Sequence, residues 1–499
     1  MKSSRLIYNT ISPLFFQLTT IICGFILPRL LLKNFGSEIN GLVSSISQYL
    51  AIIGFLEFGI GSVVRTAFYK PLAENDYDGL SRIVLSSNAF FKKIAYLLLF
   101  YTFSLMIVYP FIVRENFSWL FLDTLIFVMA TSIFCQYYFG ITDQILLNAA
   151  QYGYIQYNIQ SFAMILNTIC CYILILLDSN ILIIKIVSAI VFIIRPICLR
   201  LYINKTFNIN RKISYHNEPI KQKWNGLSQH FSGVIFDSSA VIILTFLSTL
   251  SFISIYSIYW IIILGIKRLV ISLTDGITSY MGQIYAVKDN DRLRSIFDYT
   301  EWLVHFFSVI IFSSTTILIV PFIQVYVDGI HDANYIVPFF GCSLVLAYMG
   351  QCLRLPYHIL ILSSGLFKET RLIYSLPAIL YLILMFLFTP KFNLIGISCS
   401  AFFSLYIQLF WNARYVYNDI FNKNFILFLK QIFVDFVCVI ISVYLFYSTI
   451  YLKLDNYFDW IILANKVLFS IVIITFSVNF AFYKNYVNYF FSMVYKYLK

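Results

Sequence analysis

Long apolar runs alternate with short polar breaks along the whole chain. Each run reaches about 20 residues or more, enough to cross a hydrocarbon core of about 30 Å as a helix. The short alternating apolar and polar segments of a membrane barrel are absent, so the pattern predicts helical spans that satisfy their own backbone groups. About fourteen such spans are expected, with centres running from Thr20 and Ile53 to Val439 and Ile471. The first run, Leu6 to Leu32, is too long and too continuous with the next run to be a cleaved leader. The expected fold class is an all-α polytopic membrane protein.

Polar residues inside the runs fall into patterns. The stretch YWIIILGIKRLVISLTDG, Tyr259 to Gly276, carries two adjacent cations, Lys267 and Arg268. Gly265, Arg268, Ser272, Asp275 and Ser279 are spaced three or four apart, so a helix aligns them in one stripe. Lys267 leaves the helix about 100° away from Arg268 and points elsewhere. Span two shows a comparable stripe of Ser47, Ala51, Gly54, Glu57, Gly61 and Arg65. Arg29, Arg195, Asp237, His305 and Arg354 are further ionisable residues in spans, with His305 read as a packed histidine. Two explanations stand for the cations: ion pairs or snorkelling between helices, or a wet cavity that receives an anion. Arginine suits the second, because its planar fork grips phosphate and keeps its charge in a low dielectric. Candidate anion-binding residues are therefore Arg268, Arg65, Lys267, Arg354 and Arg29. Glu57, Asp275 and Asp237 are candidates for exchanging a coupling ion, H+ or Na+, because a desolvated carboxylate readily takes either.

Composition agrees with the pattern. Of 499 residues 60% are hydrophobic and only 12% charged, about half the charged fraction of a soluble protein. The net charge of +12 would suggest a nucleic-acid partner until its position is considered. With the N-terminus in the cytoplasm, most Lys and Arg fall on cytoplasmic segments, including Lys205, Arg211, Lys212, Lys221 and Lys223 in one loop. That skew is the positive-inside rule, and it puts both termini in the cytoplasm. The nine cysteines lie mostly in spans with no CxxC pair, which reads as buried free thiols.

The chain also repeats itself. Asp76-Tyr77-Asp78-Gly79-Leu80-Ser81-Arg82-Ile83 and Asp289-Asn290-Asp291-Arg292-Leu293-Arg294-Ser295-Ile296 share a D-x-D-x-L-x-x-I pattern 213 positions apart. Gln136 with Gln351, and Leu146-Leu147 with Ile361-Leu362, match at an offset of 215. The repeating unit is about six spans, and an even number keeps both copies in the same orientation, a parallel repeat. Residues 1–210 and 211–420 are the expected six-helix lobes, and 421–499 the expected two additional helices. Asp289-Asn290-Asp291 resembles a sugar-nucleotide metal motif, but its recurrence at Asp76 favours aspartates that cap a short helix. No metal ligand set, Walker A sequence, HExxH or nucleophile constellation is present.

The stretch LPRLLLKNFGSEINGLVSSISQYLAIIGFLEFGIGSVVRTAFYKPLAENDYDGLSRI, Leu27 to Ile83, the duplicated lobe and the two trailing helices together resemble the multidrug/oligosaccharidyl-lipid/polysaccharide (MOP) superfamily. Within it the chain is most similar to Wzx-type O-antigen or capsule repeat-unit flippases. The resemblance implies a V-shaped, MATE-like pair of lobes around a central cavity lined by spans one, two, seven and eight. It implies a bacterial inner-membrane transporter, not an enzyme, that flips a polyprenyl-pyrophosphate-linked oligosaccharide and serves a polysaccharide polymerase machinery. Relatives have a cationic cavity, and Arg268 and Arg65 stand where such residues are expected. The alternatives are a drug/cation antiporter of the same fold, disfavoured by a first span without an acid, and a membrane O-antigen polymerase. The latter class presents a long external loop, whereas Gln324 to Tyr335 is among the longest outside segments here. The topology is tested by cysteine labelling from outside: a cysteine at Gly329 should react and one at Lys212 should not, and the reverse order would overturn it.

Overall fold

The computed structural model describes all residues except 1, 58–59, 114, 116, 211–226, 273, 275–276, 278–279, 283, 286–288 and 499. Regular structure among the described residues is helical throughout. The first seven helices are α1 (Lys2–Ala51), α2 (Ile60–Glu74), α3 (Tyr77–Ile112), α4 (Trp119–Cys135), α5 (Ile141–Ala149), α6 (Gly153–Leu176) and α7 (Ile181–Thr206). Then come α8 (Leu227–Leu247), α9 (Leu250–Ser272), α10 (Asn290–Tyr326), α11 (Pro338–Leu353) and α12 (Leu355–Ser363). The chain ends with α13 (Arg371–Phe392), α14 (Leu394–Tyr415), α15 (Ile426–Leu445) and α16 (Tyr457–Leu498).

Thirteen helical stretches among the described residues are long and apolar enough to cross a membrane. The expected spans centred near Thr20 and Ile53 both lie within the stretch Ile11–Glu57. Gly36, at φ 80°, ψ 175°, leaves helical geometry between them and divides α1 into two helices across a kink, a conformation that a Cβ disfavours. The outer faces carry large apolar side chains such as Phe100, Phe111, Leu120 and Tyr444, all strongly exposed. That surface would be an aggregation hazard in water and is what lipid requires.

The helices form two compact units, residues 1–234 with 244–254, and residues 235–243 with 255–499. In the first, α1 packs on α6, α6 on α7, and α4 on both α3 and α7. Leu31, Cys171, Ile175, Ile181 and Ile184 form an apolar cluster there. Polar side chains also join its elements: Tyr109 donates to Ser45 at 2.8 Å, Ser45 and Thr245 share a bond of 2.8 Å, and Asn40 donates to Ser254 at 2.7 Å. In the second unit α10 is enclosed by α11, α12, α15 and α16. Trp302, Phe306 and Ile310 of α10 meet Val467, Ile471 and Val487 of α16. The two trailing helices thus pack directly on α10.

The two aspartate motifs are helix caps. Asp76 accepts the Gly79 N–H at 2.9 Å to begin α3, and Asp289 accepts the Arg292 N–H at 3.1 Å to begin α10. Each satisfies one of the donors orphaned at a helix start. The capped elements are the long spanning helices themselves, not the short helix expected, because the polar first turns run without a helix break into the apolar run.

Gly41 marks the tightest approach in the first unit. A Cβ there would lie 1.9 Å from the Leu250 carbonyl oxygen, whereas at Gly24 it would meet nothing within 4 Å. Gly41→Ala should therefore cost about 1–3 kcal/mol through overpacking, read as a lowered thermal midpoint in detergent. Gly24→Ala should be neutral or slightly stabilising, since alanine is the better helix former.

Candidate functional site

Helix α9 sorts its two adjacent cations onto different surroundings. Tyr256, Tyr259, Trp260, Ile263, Lys267 and Val270 are all buried, and their spacing of three and four marks the packed face. Lys267 there reaches Asp237 of α8 at 2.6 Å. Its ammonium also lies 5.5 Å from the Trp260 ring centre and 5.8 Å from that of Tyr348, so two aromatic faces add cation–π attraction. Tyr348 is itself fixed by donating to the Phe236 carbonyl at 2.6 Å. Lys267, read from sequence as a substrate-binding candidate, is thus held in an ion pair. Asp237, read as an ion-coupling candidate, is its counter-charge.

Arg268, one residue on, is exposed, as is Ser272. A Cβ at Gly265 would meet nothing within 4 Å. These three residues therefore form an open stripe on α9. Arg268 has no ion-pair or hydrogen-bond partner among the described residues. Asp275 and Ser279, the expected continuation of the stripe, lie outside the described residues, as do Arg211, Lys212, Lys221 and Lys223 of the expected basic loop.

Arg354 sits where a span is interrupted. Pro356 has no N–H to give the Cys352 carbonyl, and the Arg354 N–H, bonded to the Gly350 carbonyl at 3.2 Å, closes α11 before α12 begins. The guanidinium is buried against the face of Tyr374, 5.2 Å from its ring centre. Its Nε and Nη1 groups have no hydrogen-bond partner among the described residues. A buried cation with unmatched donors is costly unless something else supplies an acceptor. Tyr374 in turn shares a 2.6 Å bond with His358 Nδ1.

The remaining candidates belong to the first unit. Glu57 is half-buried on the 3₁₀ turn Ile52–Glu57 and accepts the Tyr137 hydroxyl at 2.6 Å. Arg65 is exposed on α2, and Arg29 is half-buried on α1. Within the second unit the structure thus brings Lys267 and Asp237 together.

Sequence reading passed over several charged residues. Asp143 is fully buried and bonded by Arg200 at 3.1 Å. Lys185 lines a cavity of about 330 Å³ in the first unit together with Asn167, Ser188 and Ser47. Glu301 was missed too, although Glu301 and His305 are four apart and so share a face of α10. Among the described residues no three His, Cys, Asp or Glu side chains are arranged to hold a metal ion.

Several solved structures share this fold. The lipid II flippase MurJ in an inward closed conformation matches with a TM-score of 0.71 at 15% identity, covering 95% of this chain and 99% of that one. An inward-facing multidrug resistance MATE family transporter of the MOP superfamily matches at 0.60 and 12% identity, over 79% of this chain and 93% of that one. The Vibrio cholerae MATE transporter VcmN in its bent form matches at 0.56 and 12% identity, over 82% and 95%. At such identities the likeness is one of fold: an all-helical, polytopic membrane architecture. No family model matches the sequence, and no curated relative does.

The Lys267–Asp237 pair is a stability element open to a double-mutant cycle. Lys267→Met alone leaves Asp237 uncompensated, and Asp237→Asn alone leaves Lys267 buried and unpaired. Because the Asp237 side chain is 40% exposed, the lysine-first loss should be the smaller, about 1 kcal/mol, and the aspartate-first loss about 3 kcal/mol. The double variant should recover most of the loss, measured as thermal midpoints of the purified protein. Strict additivity of the two single losses would show that the pair is not coupled.

Proposed function

We propose that this protein is a flippase that carries polyprenyl-pyrophosphate-linked oligosaccharide repeat units across a bacterial cytoplasmic membrane by alternating access. The observation that carries the reading is the different placement of the adjacent cations on α9. Lys267 is neutralised by Asp237, whereas Arg268 stands on an open stripe with Gly265 and Ser272. An arginine on a spanning helix has a high energetic cost unless it meets water, a headgroup or a ligand anion. A pyrophosphate offers acceptors that match its fork, and neighbouring small and hydroxyl residues leave room for sugar. Arg354, buried with two unmatched N–H groups, supplies a second fork in the same unit. The shared fold with a lipid II flippase over 95% of the chain supports the class of reaction.

In this reading Arg268 makes the first contact with the diphosphate, and the exposed stripe keeps that contact hydrated. Arg354 takes up the anion once it is out of bulk water, where a charge-assisted bond counts for more. The uncharged sugars move with the headgroup, and the lipid tail remains in an apolar environment throughout. Both termini are cytoplasmic, in keeping with the distribution of Lys and Arg.

Complementation of a flippase-null strain tests this, with protein level checked in the membrane fraction. Arg268→Ala should lower delivery of repeat units to the outer leaflet by about 10- to 100-fold, the equivalent of one bidentate charged contact. Arg268→Lys should keep part of the activity. Arg354→Met should fold as well as the parent or better, because it removes two unmatched buried donors, and still lose transport. Full activity in Arg268→Ala, or uptake of a cationic dye by the purified protein in preference to the lipid-linked sugar, would overturn the reading.

A further inference from the structure

Beside Trp302, at the centre of the second unit, lies a chain of hydrogen-bonded ionisable groups that the anion-binding arginines do not touch. His305 of α10 is fully buried, and its Nδ1 meets Asp435 Oδ2 of α15 at 2.6 Å. The other carboxylate oxygen of Asp435 accepts from Gln431 at 3.1 Å. His305 Nε2 lies 3.5 Å from the Tyr357 hydroxyl of α12, and the Leu353 backbone also bonds the ring. Tyr357 donates to Glu301 Oε1, one turn back along α10. Tyr417, on the π-helical turn Val416–Ile420, lies 2.9 and 2.8 Å from the two Glu301 oxygens. Two carboxyl groups are thus linked through an imidazole and a phenol.

The charges in this cluster do not balance without one further proton. Both imidazole nitrogens face acceptors, so the ring carries two protons and its positive charge cancels that of Asp435. Glu301 is then left with a full negative charge in a dry interior, held only by two neutral hydroxyls. The charged groups around it offer no relief. Asp298 and Lys423, one turn away, are paired with each other, and Lys430 lies over the Tyr483 ring at 5.1 Å. Tyr406 and Cys438 face Asp435, and Tyr483 and Tyr486 of α16 face Glu301, all of them neutral groups at ordinary pH. An isolated buried carboxylate takes up a proton rather than bear that cost.

The repeat read from the sequence places neutral groups at the matching positions of the first unit. Glu301 and Tyr357 correspond to Ser87 and Thr142 of the first unit, 214 and 215 positions earlier, where two hydroxyls share a 3.1 Å bond between α3 and α5. His305 corresponds to Phe91, which is buried and apolar. The same helix pair therefore closes with neutral groups in one unit and with ionisable ones in the other. Buried ionisable networks contribute little to stability compared with apolar packing of equal volume.

We propose that Glu301, Tyr357, His305 and Asp435 form a proton-binding site that loads and releases one proton, and that this proton is the coupling ion of transport. The site stands on its own geometry, and the coupling rests on the flippase reading. Proton and Na+ are distinguished by the donor set: the phenol and imidazole hydrogens point at the carboxylates and occupy the space a bare cation would need.

Difference infrared spectroscopy of the full chain in lipid nanodiscs tests the site without substrate. A protonated carboxyl band should respond to pH, disappear in Glu301→Gln, and shift in Asp435→Asn. If Glu301→Gln fails to fold, Glu301→Ser combined with His305→Phe, the residues of the first unit, should fold and lack the band. No titrating carboxyl in the parent, or displacement of the band by Na+ at constant pH, would overturn the site. Proteoliposomes test the coupling: an imposed pH gradient should raise lipid-linked oligosaccharide transport several-fold in the parent and leave Glu301→Gln unchanged, with downhill exchange retained. A titrating band with gradient-insensitive transport would overturn the coupling alone, and no transport of any kind would instead refute the flippase reading.

Discussion

Charge has few places to go inside a bundle of apolar helices, and that constraint organises this molecule. Water cannot compensate an ion there, so each one must find an opposite charge, an aromatic face, or an open surface. Lys267 with Asp237, Arg200 with Asp143, and Lys423 with Asp298 are solutions of the first kind. Arg354 over Tyr374 is of the second, and Arg268 of the third. The residues that are not fully compensated are the informative ones, because stability alone gives no reason to keep them.

The fold was legible where a single run of residues carries the signal. Apolar stretches of spanning length, capping aspartates at Asp76 and Asp289, and the angular separation of Lys267 from Arg268 are all local properties of the chain. The polar break between the first two expected spans is where the helix is interrupted, at Gly36. Partnership was the hardest to read. Asp237 is 30 residues from Lys267, and Asp435 is 130 from His305, so the pattern along either helix says nothing of what it meets. His305 therefore read as a packed histidine and Glu301 and Asp435 were passed over, although the spacing of Glu301 and His305 already put those two on one face.

The two copies of the repeat have kept their helix order and their caps while diverging in chemistry. Hydroxyls and a phenylalanine fill the α3–α5 contact in one copy. A carboxylate, a phenol and an imidazole fill the α10–α12 contact in the other.

Asp435 belongs to α15, a helix outside the duplicated part of the chain, yet it completes a cluster whose other members lie within it. Trp302 is tied in the same manner to Asn479 of α16, by a 2.9 Å bond. The last two helices are consequently not a detachable module. A shortened chain that ended after α14 would leave the His305 ring without Asp435 and the Trp302 indole N–H without Asn479, two buried polar groups deprived of their partners at once.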